Sequence, residues 1–182
     1  MKILSVQVGR PRTIRHRGRD VRTGIFKEPV LFPVAVRRLG LAGDAQADLR
    51  VHGGPDKAVY AYDEGGYYHF RDALARELPF GQFGENLTVE GMPETQVRLD
   101  DVYRAGTALL QVTQPRSPCF KLGIRMEMPG FLKMFLESGR TGFYLRVLEE
   151  GELGAGDAIE LVSRDSSAPT VLEAVRSAYG LD

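Results

Sequence analysis

Short runs of alternating or β-branched apolar residues recur along this chain and predict a protein made mainly of short strands. The predicted strands are residues 2–8, 19–27, 33–39, 58–62, 87–89, 102–105, 108–113, 143–148 and 158–162. The basic residues between the first two predict a loop, so we expect those two strands to form a hairpin. The glycine-rich residues 151–156 predict a turn between the last two strands.

Apolar residues at helical spacing predict four helices between these strands. Tyr67, Phe70, Leu74 and Leu78 predict a helix that begins at residue 63 or 64 and ends before Pro79. The other predicted helices are 120–126, 129–137 and 170–179, the last with Thr170 as its N-cap. Because strands and helices do not alternate regularly, the pattern argues against a doubly wound sheet. It favours a mostly β barrel or sandwich with peripheral helices, an α+β arrangement.

Composition narrows the functional class without identifying it. The 24 basic and 24 acidic residues balance, so no global charge favours nucleic acid or an anionic membrane, and we expect no specific nucleic-acid binding. A single cysteine excludes an intrachain disulfide and a cysteine pair for structural zinc, which fits a cytoplasmic protein. No apolar run has the length of a signal peptide or of a membrane span, and 182 residues suit one domain.

The lone cysteine, Cys119, lies in a stretch that favours chemistry. Pro115 and Pro118 restrict the backbone just after a predicted strand and just before a predicted helix. Arg116 and Lys121 lie close in sequence, and nearby positive charge favours the thiolate, the form that attacks carbon or binds a soft metal. The alternative is that Cys119 is a small buried hydrophobic residue.

Two glycine-containing loops are further candidates for a ligand site. HGGPDK at 52–57 predicts backbone amides that approach an anion, with Lys57 adding charge, although a plain turn between strands gives the same pattern. FGENL at 83–87 places the donors and acceptor of Asn86 in a similar loop, or in an ordinary entry to a strand. Arginines between 10 and 22 predict a nucleic-acid arm, a solvated hairpin, or an arginine for an anionic ligand.

These loops together resemble the MOSC domain family, named after the C-terminal domain of molybdenum cofactor sulfurase, and most closely its bacterial stand-alone branch. The resemblance is carried in order by TGIFKEPV at 23–30, GLAGDAQAD at 40–48, VHGGPDKA at 51–58, FGENL at 83–87 and QPRSPCFKL at 114–122. It implies a β-barrel-like MOSC fold over residues 1–165, followed by a linker and a short helix at 166–182, the remnant of a helical appendage.

The resemblance also implies a function and a set of site residues. The protein would bind a molybdopterin-type molybdenum cofactor and reduce N-hydroxylated compounds, such as hydroxylamino-purines, to amines. Cys119 would be the catalytic residue and the protein ligand to molybdenum, because a soft thiolate suits such a centre. The cofactor-binding residues would be Arg50, His52, Lys57, Asn86, Arg116, Ser117 and Lys121. Pyridoxal phosphate binding is a further property associated with the family.

Partners and alternatives follow from the same reading. The sequence has no flavin, nicotinamide or iron–sulfur signature, so an external electron-donor reductase would supply electrons for the small-molecule substrate. Neither membrane association nor nucleic acid is expected, and a homodimer is compatible with the sequence. Two alternatives remain: a non-catalytic carrier of the cofactor or of sulfur, and a hydrolase that pairs Cys119 with His52.

Overall fold

The structure is a computed structural model that describes residues 1–47 and 53–181. Its strands are β1 (Lys2–Val8), β2 (Arg12–His16), β3 (Arg19–Thr23), β4 (Glu28–Val30), β5 (Val34–Arg37), β6 (Gly40–Leu41), β7 (Val59–Asp63), β8 (Leu87–Glu90), β9 (Val102–Ala105), β10 (Ala108–Pro115), β11 (Phe143–Glu149), β12 (Gly151–Leu153) and β13 (Ile159–Ser163). Its helices are α1 (Glu64–Leu74), α2 (Phe120–Met126), α3 (Phe131–Glu137) and α4 (Val171–Tyr179). No described helix has the length and apolarity that crossing a bilayer requires.

One large sheet organises the molecule, in the order β13-β9-β10-β11-β7-β8-β1-β4. Neighbouring strands within this sheet are antiparallel, except for β7 and β8, which run parallel to each other. Strands β12, β5 and β6 form a smaller sheet, and β2 pairs with β3 alone. Among the described residues the large sheet does not close into a barrel, because its end strands β13 and β4 do not pair with each other. The start of β1 contacts the residues before β13 only through an isolated bridge, Lys2 to Ala158, and a few backbone hydrogen bonds. The predicted mostly β fold with peripheral helices is confirmed.

Two apolar clusters form the interior. The first lies on the inward face of the sheets, where alternate residues of β10, Ala108, Leu110 and Val112, point inward as the strand period requires. The second is largely aromatic and packs α1, α2 and α3 against the outer side of β7. Tyr60 and Tyr62 belong to this second cluster, so β7 separates the two.

The strand pairing near the N-terminus corrects the sequence prediction. The basic segment predicted to be a loop contains β2, and β3 pairs with β2 instead of β1. The turn is Arg17-Gly18, with φ of 48° and 77°, which matches a tight two-residue hairpin turn. The alternation was undetectable because β2 is exposed or half-buried along its whole length and carries no apolar face.

Helix ends differ from prediction where the backbone turns left-handed. Helix α1 ends at Leu74 because Ala75 adopts φ 47° and caps the helix, so the prediction that it reaches residue 78 is wrong. Helix α3 begins at Phe131, after Gly130 with φ 84°, and not at Pro129. The predicted turn at 151–156 contains β12. Helix α2 is as predicted, and α4 follows a Thr170–Glu173 capping box.

Candidate functional site

Cys119 occupies the corner between β10 and α2. It is the N-cap residue of α2, with extended backbone at φ −124° and ψ 170°, and its side chain makes no capping hydrogen bond. Its carbonyl oxygen accepts a hydrogen bond from the Leu122 N–H at 2.9 Å, which starts the helix. The thiol is half-buried, so the interpretation that Cys119 is only a buried core residue is wrong.

A cavity of about 100 Å³ lies beside Cys119 and joins the loops predicted from the sequence. Its described lining includes four basic side chains and one carboxylate, with two phenols and two further loop residues: Lys27, Lys57, Arg116, Lys121, Asp44, Tyr60, Tyr144, Gly84 and Asn86. Lys57, Asn86 and Cys119, which the sequence assigned to one site, line this cavity together. Arg50 and His52, which the sequence also placed there, lie outside the described residues, and so does any pairing of Cys119 with His52.

Ser117 lies at an adjoining cavity. This second space, of about 240 Å³, is lined by Ser117, Pro118, Lys57, Cys119 and Tyr144 among others. The two cavities share Lys57, Cys119 and Tyr144. Cys119 is therefore accessible from two sides, and the residues predicted around it divide between the two cavities.

Asp44 is the centre of a buried polar network in the first cavity. Its carboxylate accepts hydrogen bonds from the Gly9 N–H at 2.9 Å and from Asn86 Nδ2 at 2.9 Å, and it forms an ion pair with Lys27. Burial lowers the pKa of Lys27, while the charge of Asp44 opposes that change. The network ties the loop after β6 to the segment between β3 and β4.

The side chain of Asn86 is engaged on both ends. Its Oδ1 accepts from the Tyr60 N–H at 3.1 Å, and its Nδ2 also donates to the Gln7 carbonyl at 3.3 Å. Since the amide already joins β7, β1 and Asp44, it holds the wall of the cavity in place. Its direct contact with a cofactor stays a prediction.

Arg116 is buried against aromatic rings. Its guanidinium lies 5.2 Å from the ring centre of Tyr60 and 5.4 Å from that of Phe135, and Nη2 donates to the Phe83 carbonyl at 3.4 Å. Burial works against its charge, but the acidic groups of Tyr60, Tyr144 and Cys119 together outweigh burial and raise the pKa of Arg116. Within the described part of the chain its Nη1 is buried and has no hydrogen-bond partner. A buried cation with an unused donor at a cavity wall favours an anionic ligand.

A tight turn at Gly54–Lys57 presents Lys57. Gly54 has φ 95°, which favours glycine, and its N–H donates to Gln46 Oε1 at 3.2 Å. Gln46 Nε2 donates in turn to the Lys57 carbonyl at 2.9 Å. Asp56 pairs with Arg146 at 3.1 Å, which anchors the turn to β11. The Lys57 ammonium lies 5.9 Å from the ring centre of Tyr144.

Four residues line the first cavity that were not predicted from the sequence: Lys27, Asp44, Tyr60 and Tyr144. Lys27 and Asp44 belong to the 23–30 and 40–48 segments that carry the family resemblance, which was the available signal. The two tyrosines lie on β7 and β11 and face the cavity only because those strands are paired, with Tyr144 opposite Tyr60. Among the described residues, no three His, Cys, Asp or Glu side chains lie close enough together to hold a metal ion.

Comparison with known proteins gives the family. A model of the MOSC domain matches residues 48–160. The chain is 42% identical over 177 residues to the uncharacterized protein YflK of Bacillus subtilis, covering 97% of this chain and 80% of YflK. It is 40% identical over 164 residues to the protein YiiM of Escherichia coli, covering 86% of this chain and 71% of YiiM. A protein named reductase from Gibberella moniliformis is 35% identical over 166 residues, although only 29% of that protein is covered.

Solved structures agree with the sequence relatives. The crystal structure of YiiM from Geobacillus stearothermophilus matches with a TM-score of 0.82 at 38% identity, covering 98% of this chain and 83% of that one. The crystal structure of YiiM from Escherichia coli matches with a TM-score of 0.77 at 30% identity, covering 100% and 79%. The chain therefore belongs to the MOSC domain family.

Proposed function

We propose that this protein binds a molybdopterin-type molybdenum cofactor through Cys119 and reduces N-hydroxylated compounds, including hydroxylamino-purines, to amines. The observation that carries the proposal is a half-buried thiol beside a cavity whose described lining holds four basic side chains against one carboxylate. A thiolate suits a soft metal, and the basic wall suits the phosphate of such a cofactor.

The residues present fit this group. The buried Nη1 of Arg116 has no partner among the described residues and would gain one from a phosphate or pterin oxygen. Lys57 and Lys121 line the same cavity and would neutralise the phosphate, and Ser117 would contribute a hydroxyl from the adjoining cavity. Arg50 and His52 are proposed as further contacts on the family resemblance alone.

When bound, the cofactor would supply two electrons, which together with two protons from solvent convert R–NHOH to R–NH2 and water. The residues of the chain would hold the cofactor and orient the substrate. Burial raises the pKa of Tyr60 and of Tyr144, so both phenols keep their protons at neutral pH. The Tyr60 hydroxyl donates a hydrogen bond to the Thr141 carbonyl oxygen at 2.8 Å, which fixes the tyrosine ring under the Arg116 guanidinium. The electrons reach the site from an external reductase, and the reductase name of the fungal relative supports a redox role.

Metal content tests the first half of the proposal. After expression in a host that makes the cofactor, we expect close to one molybdenum per chain by elemental analysis. Cys119→Ser should remove most of it, and Lys57→Met should lower it. Lys133→Met, an equal charge change at an exposed residue of α3, is the control and should leave it unchanged. A wild-type protein without molybdenum contradicts the proposal.

Turnover tests the second half. The wild-type protein should reduce 6-N-hydroxylaminopurine with dithionite-reduced methyl viologen as donor, and Cys119→Ser should not. Molybdenum without reduction of any N-hydroxylated compound supports the carrier alternative. Ester hydrolysis at Cys119 in metal-free protein supports the hydrolase alternative.

A further inference from the structure

A third and larger space, a groove of about 1050 Å³, lies next to Phe120, and the proposed function does not use it. One wall is the β2–β3 hairpin, with His16, Arg17, Arg19 and Val21. The other wall is formed by α2 and the start of α3. Its side chains are Phe120, Ile124, Glu127, Met128 and Leu132. Phe120 directly follows Cys119 in the chain, which places the groove at the Cys119 end of α2, although the described linings of the groove and of the first cavity share no residue.

The hairpin presents unneutralised positive charge to the groove. Residues 10–22 contain six arginines and one aspartate, in a chain whose charges balance as a whole. Strand alternation places Arg19 and Val21 on the groove side and Asp20 on the opposite side, where Asp20 pairs with Arg15 at 2.9 Å. In the described part of the chain, neither Arg17 nor Arg19 forms an ion pair. The groove side of the hairpin therefore offers two exposed guanidinium groups to an anion.

Two residues with unfavourable backbone conformation line this groove. Arg17 has φ 48° and Glu127 has φ 53°, in the left-handed region that favours glycine or asparagine. Arg17 holds the first central position of the hairpin turn, where asparagine or aspartate is the usual residue. Glu127 ends α2 as its left-handed C-cap and Arg17 forms the hairpin turn, so both side chains are held at fixed points on the rim of the groove.

The helical wall combines an exposed aromatic ring with apolar surface. Phe120 is 56% exposed, although a ring of this size is normally buried. Ile124, Met128 and Leu132 continue the apolar surface away from Cys119. An exposed ring beside cations is a platform on which a flat heterocyclic base stacks.

From this arrangement we infer that the groove binds a nucleotide, with its base on Phe120, its sugar hydroxyls toward Glu127 and its phosphate on Arg17 and Arg19. The substrate of the enzyme is then an N-hydroxylated nucleotide instead of the free base, an inference that rests on the proposed function. The reaction is unchanged: the N–O bond breaks, water leaves, and the phosphate takes no part.

Binding of adenosine 5′-monophosphate tests the groove without any need for metal or turnover. By titration calorimetry on the purified protein, we expect saturable binding that is about tenfold or more weaker for adenosine, which lacks the phosphate. The double variant Arg17→Gln, Arg19→Gln, called the groove variant below, should bind the nucleotide more weakly than the wild type does, by about tenfold or more. Arg15→Gln, Arg22→Gln removes the same charge from the opposite side of the hairpin and should bind normally. Phe120→Ala, an exposed change, should also weaken binding several-fold.

Kinetics then separate this inference from the proposed function. With reduced methyl viologen as donor, kcat/KM for the ribonucleotide of 6-N-hydroxylaminopurine should exceed that for the free base by about tenfold or more, and the groove variant should remove the difference. Equal rates for base and nucleotide, or nucleotide binding that Phe120→Ala leaves unchanged, overturn the inference while the reductase stands. Nucleotide binding that the groove variant abolishes, with no reduction of either compound, supports the groove and contradicts the reductase.

Discussion

Glu94 is a buried residue whose carboxyl group is linked to the backbone of Arg116 through Gly142. Its Oε1 accepts the Gly142 N–H at 2.8 Å, and the Gly142 carbonyl in turn accepts the Arg116 N–H at 3.1 Å. Burial raises the pKa of Glu94 to about 7, against which the Gly142 hydrogen bond acts only in part. The side chain thus changes protonation near neutral pH while it holds the strand that carries Arg116.

This pKa predicts a pH dependence of stability. Between the unfolded pKa of 4.5 and the folded pKa of about 7, the folded state binds the proton more tightly than the unfolded state does. The free energy of unfolding therefore falls as pH rises through this window, by roughly 3 kcal/mol at most from this group. Glu94→Gln should remove that slope and be more stable than the wild type at pH 8. Urea denaturation of both proteins at pH 5 to 8 measures it, and parallel curves contradict the assignment.

At the scale of single residues, the sequence indicated the groups with distinctive local chemistry. Cys119 was found because it is the lone cysteine in a proline-restricted corner, and Lys57 because it ends a glycine turn. Asp44 was not assigned, because its importance comes from Lys27 and Asn86, which lie 17 and 42 residues away in sequence. A buried network of this kind exists only after the loops have met, so no local pattern reveals it.

At the scale of elements, helices with strong end signals were predictable from the sequence, while the polar strand β2 was not. Helix α4 has both halves of a capping box, and α2 follows two prolines, so their bounds could be read directly. Strand β2 has no buried residue, and the alternation that predicts a strand depends on one buried face, so β2 was missed, while its partner β3 falls within the predicted strand 19–27. The early end of α1 could not be predicted, because it depends on the left-handed conformation of Ala75, and alanine does not signal that conformation as glycine does.

The β9–β10 turn allows an element-scale prediction about glycine. Gly106 has φ 56°, and a Cβ there would lie 2.3 Å from the Glu152 carbonyl oxygen, where the turn meets β12. The neighbouring Thr107 N–H donates to that same carbonyl at 2.9 Å, so the two chains cannot separate without loss of the contact. Gly106→Ala should therefore lower the free energy of unfolding by about 3 kcal/mol or more, from strain and overlap together.

Gly180→Ala is the matched control for this prediction. Gly180 has φ 60°, close to that of Gly106, but among the described residues, its two chain neighbours aside, no atom lies within 4 Å of its added Cβ. Gly180→Ala should therefore lower the free energy of unfolding only through backbone strain, by about 1 kcal/mol. Urea denaturation of both variants separates the two effects, and equal losses show that the contact with β12 does not constrain the turn.

At the scale of the whole molecule, the two apolar clusters have different consequences for the site. The first cluster stabilises the sheets, while the second packs the helices that carry and cover the Cys119 corner. Phe135 belongs to the second cluster, stacks on Tyr62 with centroids 6.0 Å apart, and lies under the Arg116 guanidinium. Val36 belongs to the first cluster, on β5 of the small sheet, and is equally buried.

A pair of core variants should therefore separate stability from function. Phe135→Leu and Val36→Ala should each lower the free energy of unfolding by about 1–3 kcal/mol, measured by urea denaturation. If Phe135 supports Arg116 and the helix that Cys119 caps, its variant should retain clearly less molybdenum per folded chain than the Val36 variant at matched stability. Equal molybdenum content in the two variants would mean that cofactor retention follows global stability alone. A selective loss in Phe135→Leu places the control of the site in the aromatic cluster, because that cluster is what the buried cation packs against.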